Sequence, residues 1–150
     1  MKAIILTHAL VTEFEKKILI ETTIYKLALN HHASEYLPNA RILTDYVLLN
    51  IYNKFPETII SVRDRLRTPS DRVIYFDKEF RGATIVSAVE YLVSQNYDEI
   101  LIVGNNKVNN IKFQNLVCEQ IDELAKRVML YQYSDGNFNI PVKSITDFCS

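Results

Sequence analysis

The stretch "DEILIVG", Asp98 to Gly104, restricts this chain more than any other. Its apolar run from Ile100 to Val103 is unbroken and too short for a helix. Such runs suit strands covered on both faces, as in the middle of a parallel sheet. Two amphipathic stretches bracket it. "ATIVSAVEYLVSQN" (Ala83–Asn96) places Ile85, Val86, Val89 and Leu92 on one helical stripe, and "IKFQNLVCEQIDELAKRV" (Ile111–Val128) reads as a second helix. Beyond them lie two further apolar runs, "RVIYFD" (Arg72–Asp77), read as a short buried strand, and "MLYQYS" (Met129–Ser134). Strands alternating with helices imply βαβ units and a parallel sheet, with right-handed crossovers. The expected fold class is therefore α/β, a Rossmann-like, mostly parallel sheet flanked by helices.

Upstream, strands are expected at "KAIILTH" (Lys2–His8), "TTIYKLALN" (Thr22–Asn30), "ARILTDY" (Ala40–Tyr46, ending at Asp45) and "ETIISVR" (Glu57–Arg63). A short helix is expected from Val11, and "YVLLNIYNKF" has apolar residues at helical spacing. The segment 135–150 reads as a less regular tail. No internal repeat is visible, and 150 residues suit a single domain.

Composition narrows the function classes. A net charge of −1 argues against a nucleic-acid protein that works through a global basic field. Cys118 and Cys149 have no spacing that suggests a metal site or a disulfide framework, so a reducing compartment is the default. The apolar run before His8 is too short for a signal peptide core or a membrane span. These features lead to the expectation of a cytoplasmic protein without a transmembrane segment, a bound metal or a cofactor.

Ligands of open α/β sheets bind beyond the carboxyl ends of the strands. The residues at those ends are His8, Asn30, Asp45, Arg63, Asp77, the Gly104–Asn105–Asn106 turn and Ser134. Strand ends meet solvent and are polar for that reason too. Gly104 suits a sharp turn or a close backbone approach, and Asn105 and Asn106 tolerate left-handed backbone. A plain strand-to-helix connection capped by an asparagine would use the same residues. Arg81, Gly82 and Thr84 precede or open a helix, where free N–H groups attract anions. "RDRLRTPSDR" (Arg63–Arg72) gathers four arginines and suits either a phosphate-gripping loop or a solvated surface. His31 and His32 follow a strand end, and histidine is the side chain suited to proton exchange near neutrality, although a surface loop explains them as well. No phosphate-loop, dinucleotide, zinc-protease or nucleophile-elbow motif occurs.

The segment "RGATIVSAVEYLVSQNYDEILIVG" (Arg81–Gly104) resembles part of the bacterial sialyltransferases of glycosyltransferase family 42. It is also similar to the related motility-accessory-factor transferases and their pterin pyrophosphokinase-like cousins. As a pattern of elements the resemblance extends over residues 22–134, through "YKLALNHH", "ARILTDY" and "IDELAKRVMLYQYS". It implies a Rossmann-like domain that binds a nucleotide or a nucleotide-activated sugar of the CMP-linked type. By position it implies that Asn30 and Asp45 approach the nucleoside. Thr84 then stands where a family Ser/Thr contacts the nucleotide, with Arg81 beside it, and Gly104, Asn105 and Asn106 line the same crevice. The family's glycine-rich first turn is replaced here by "THALVTEF", its terminal Asp by Asn106, and no histidine follows His32. The resemblance therefore assigns no catalytic residue.

Two functions follow. One is a glycosyltransferase-like protein of surface glycan synthesis. The other is a catalytically inactive α/β binding or oligomerisation module, with "YVLLNIY" and "VMLYQY" as candidate surfaces of a homo-oligomer.

Overall fold

The computed structural model describes residues 1–45, 48, 51–62, 73–76, 83–104 and 110–150. Seven strands form one parallel sheet: β1 (Lys2–Leu6), β2 (Tyr25–Leu29), β3 (Ala40–Leu43), β4 (Thr58–Ser61), β5 (Val73–Tyr75), β6 (Glu99–Val103) and β7 (Met129–Gln132). Their order is β5-β4-β3-β2-β1-β6-β7, and every pairing is parallel. Among the described residues, four helices with defined bounds flank it: α1 (Glu13–Glu21), α2 (Thr84–Ser94), α3 (Ile111–Ala125) and α4 (Ile145–Cys149). Strand order reverses between β1 and β6, which makes their carboxyl ends the switch point where ligands settle in such sheets.

The period of two along each strand divides the core between two faces. Ala3, Ile5, Leu27, Ile42, Ile100 and Ile102 face α2 and α3. Ile4, Leu6, Ala28, Leu101 and Val103 face the opposite layer, where Leu19 of α1 and Ile145 and Phe148 of α4 pack on them. The unbroken apolar run of β6 is thus covered on both sides, as its sequence requires.

Most elements match the sequence reading, with shorter strands. Helix α1 starts later than Val11 because Thr12 and Glu15 form a capping box. In α2 every residue from Ile85 to Leu92 is buried, Ser87 and Glu90 included, so the helix is enclosed rather than covered along one stripe.

Two expectations need correction. The strand in "RVIYFD" is not buried. It is the edge strand β5, with Ile74 and Tyr75 both more than 40% exposed. An apolar run alone does not separate an edge strand from a central one. The tail is more ordered than its composition suggests. Gln132 bridges Val142, and α4 follows, with Ile145 and Phe148 fully buried. The Gln132 side chain holds the loop between them: Nε2 donates to the carbonyls of Phe138 and Ile140, and Oε1 accepts from the Phe138 N–H. Within "VMLYQY", Leu130 and Gln132 are buried and Met129 is exposed. Among the described residues, no helix is long and apolar enough to cross a membrane.

Candidate functional site

The carboxyl ends of β2 and β3 carry the best-defined polar cluster. Asn30 follows β2 with φ 48°, a left-handed conformation that asparagine tolerates better than most residues. Its backbone N–H still donates to the Ile42 carbonyl at 2.9 Å, so the turn stays tied to β3. Its side-chain Oδ1 accepts the Thr44 N–H at 3.0 Å. Its Nδ2 lies 3.3 Å from Thr44 Oγ1 and 3.2 Å from Thr84 Oγ1. The two threonine hydroxyls are 2.8 Å apart. Three chain segments, the end of β2, the end of β3 and the start of α2, therefore meet in one hydrogen-bonded cluster.

Thr84 stands in the first turn of α2. The N-cap residue there is Ala83, which offers no side-chain oxygen. Helices α1, α3 and α4 are capped by Thr12, Asn110 and Ser144. The first N–H groups of α2 thus face the carboxyl edge of the sheet without a side-chain cap from its N-cap residue, at the positive end of the helix dipole.

Beneath the cluster, Arg41 points from β3 into the opposite layer and is fully buried. Nε and Nη2 grip the two carboxylate oxygens of Glu57 at 3.2 and 3.1 Å. Nη1 donates to the carbonyls of Asn30, at 2.7 Å, and His32, and Nη2 also donates to Ser34 Oγ. All five guanidinium N–H groups have acceptors, which is how a charge becomes tolerable away from water. The Phe55 ring covers the guanidinium at 4.6 Å. Arg41 thereby fixes the turn that carries Asn30, His31 and His32.

At the switch point, Gly104 has φ +124°. A Cβ there would lie 2.2 Å from Thr7 Cγ2 and 2.9 Å from the His8 carbonyl oxygen. The glycine is required by this close approach to the end of β1 and by its backbone conformation. Asp135 lies beyond β7. Burial pushes its carboxyl up, and a hydrogen bond with the Gly104 backbone opposes that shift. Tyr133 Oη donates to Glu15 Oε1 at 2.7 Å, across the N-terminus of α1. Glu15 is pushed up by burial, but hydrogen bonds from Thr12 and Tyr133 outweigh this and hold it below the usual carboxylate range.

Of the residues selected from sequence, Asn30 and Thr84 are in direct contact. Asp45 is exposed beside the cluster, one residue beyond Thr44. Gly104 lies three strands from β3, at the switch point. Arg81, Asn105 and Asn106 lie outside the described residues, as do Gly82, Asp77, residues 46, 47, 49 and 50 of "YVLLNIYNKF" and the arginine-rich 63–72 stretch. Sequence reasoning missed Thr44, the Arg41–Glu57 pair and Asp135. Thr44 was open to detection, because it precedes Asp45 at a strand end. Nothing in the sequence joins Arg41 to Glu57.

No family model, characterised protein or solved structure matches this chain.

A separate groove of about 420 Å³ runs between α2 and α3. Its lining includes Glu90, Glu119 and Glu123 against one cation, Arg127, which disfavours a phosphate there. Among the described residues, no group of His, Cys, Asp and Glu side chains has metal-holding geometry.

Proposed function

We propose that the carboxyl edge of the sheet binds a nucleotide or a nucleotide-activated sugar, of the CMP-linked type by resemblance. The protein is then a glycosyltransferase-like component of surface glycan synthesis. The observation that carries this reading is the meeting of Asn30, Thr44 and Thr84 beside the uncapped start of α2. The cluster supplies hydroxyl and amide groups suited to a ribose or a base. The helix start supplies N–H groups suited to a phosphate. The hydrogen bonds described within the cluster are internal, so a ligand donates to remaining lone pairs, accepts from remaining protons, or displaces one of these bonds.

Transfer also needs an acceptor hydroxyl to be deprotonated. The catalytic residue is unassigned. A binding module without catalysis is the second reading, favoured by the sequence that replaces the glycine-rich first turn.

A thermal-shift panel separates binding from no binding. CMP, UDP and GDP forms at 100 times their Kd would stabilise the fold by about 2.7 kcal/mol. Thr84→Val removes the hydroxyl with little change of volume and is expected to reduce the CMP-induced shift. No shift with any nucleotide at millimolar concentration would remove both nucleotide readings. A shift without sugar transfer in a coupled assay would favour the binding module.

A further inference from the structure

The chain has three histidines, and the fold brings all of them together. His8 follows β1, and His31 and His32 follow β2. These strands are parallel neighbours in register, Leu6 opposite Ala28, so their carboxyl ends emerge side by side. The His31 and His32 rings lie 4.1 Å apart between centroids at 38°, and the His8 and His32 rings 5.9 Å apart. His8 and His31 are exposed, and His32 is half-buried between them.

The backbone holds this arrangement. Asn30 and Ala33, on either side of the pair, both have positive φ, 48° and 66°. The His32 N–H donates to the Leu29 carbonyl at 3.1 Å. The Asn30 and His32 carbonyls are taken by the buried Arg41 guanidinium. The imidazoles therefore sit on a preorganised turn rather than on a free loop.

Of the titratable and charged groups beside the His32 ring, three are cationic when protonated and one is a carboxylate. His32 faces His31, His8 and Arg41, with Glu35 as the opposing carboxylate. Arg41 is itself paired with Glu57. Each protonated ring raises the cost of protonating the next. An anion placed among them reverses that balance, because it compensates every proton taken up. Ring faces packed at 4.1 Å suit N–H edges offered to an extended oxyanion better than nitrogens converging on one metal ion.

We propose that His8, His31 and His32 form a phosphate-binding site that takes up protons as it binds. This deepens the nucleotide reading above and rests on it for the natural ligand, a phosphate-bearing metabolite. The site joins the Asn30–Thr44–Thr84 cluster through Asn30, which immediately precedes His31.

The test is a titration of the full chain, followed by NMR of the three imidazole rings, with sulfate and inorganic pyrophosphate as probes at pH 6 and pH 8. Sulfate remains a dianion throughout, so any pH dependence belongs to the protein. Saturable shifts of all three rings are expected, with affinity for sulfate rising about tenfold or more from pH 8 to pH 6. His8→Asn and His31→Asn change exposed side chains. Each is expected to weaken binding at pH 6 about tenfold without moving the thermal midpoint by more than a few degrees.

Binding that is independent of pH, or unchanged in the His8→Asn, His31→Asn double variant, overturns the proposal. So does saturation of the rings by zinc with none by either oxyanion. Pyrophosphate binding that is lost in these variants, with no response to CMP or cytidine, would retain the histidine site and reject the nucleotide reading. CMP binding that survives in the double variant, with no pyrophosphate binding, would do the reverse.

Discussion

Arg41 is a full cation with no exposed surface, and its five donors are matched by carbonyls, a hydroxyl and the Glu57 carboxylate. Removing one partner strands the other away from water. Glu57→Gln and Arg41→Met are each expected to lower stability by about 3–5 kcal/mol, read from urea midpoints. Arg41→Met should also release the Asn30–His32 turn, so it should dull any ligand response more than Glu57→Gln does. His32 gives a pH dependence. Burial, with His31, His8 and Arg41 beside it, holds its imidazole below its ordinary value of 6.5. The unfolded chain then binds that proton more readily than the folded one. Its contribution to stability is complete above pH 6.5 and is lost as pH falls through the lower folded value. Thermal unfolding from pH 8 to pH 5 should show this slope, and His32→Asn should flatten it. Little of this was legible in the sequence. A strand-end rule singled out His8, Asn30 and Asp45, and a helix start together with the resemblance singled out Thr84. The meeting of His8 with His32 depends on which strands are neighbours, which no local pattern reveals.

Single elements show the same division. Helices α2 and α3 and strands β1 and β6 were legible because their apolar spacing is a direct record of the faces they bury. Strand β5 was misjudged because three apolar residues look alike at an edge and in the middle. Helix α4 was missed because five residues are too few to show a period, although Ser144 and Asp147 do form its cap. The start of α2 offers a direct test. Ala83 has extended backbone suited to an N-cap but is buried in the core, so Ala83→Asp gains a cap only by desolvating a carboxylate and is expected to lower the stability of the free protein by about 1–3 kcal/mol. The same substitution should weaken binding of CMP, because a carboxylate then occupies the helix end. An unchanged nucleotide response in the folded variant would place the phosphate elsewhere. At the switch point, Gly104→Ala forces a Cβ into Thr7 and keeps an unfavourable φ. A loss of about 2–3 kcal/mol is expected in urea unfolding.

On the scale of the whole molecule, the sheet is closed from both sides by segments remote in sequence. Phe148 of α4 is fully buried against the same layer as Leu19, and Lys2 of β1 donates to its carbonyl at 2.9 Å. Phe148→Ala should therefore cost about 3–5 kcal/mol, a core-sized loss from a segment that reads as a tail. Native-state hydrogen exchange should rank β1, β2 and β6 as most protected and β5 as least. The α/β class was readable because alternation is written along the chain. The strand order was not, because nothing in the sequence states that β6 returns beside β1.

That return has a consequence for how the protein is made. Strand β1 can pair with β2 soon after both leave the ribosome, but its other edge waits for β6, since Lys2 pairs with Glu99. At about 5–20 residues per second, the wait is roughly 5–20 s. Throughout it the nascent chain carries an open parallel edge flanked by Ile4 and Ile5, a surface able to recruit other strands. Slower translation or weaker chaperone cover during that interval is then expected to lower how much native protein is obtained.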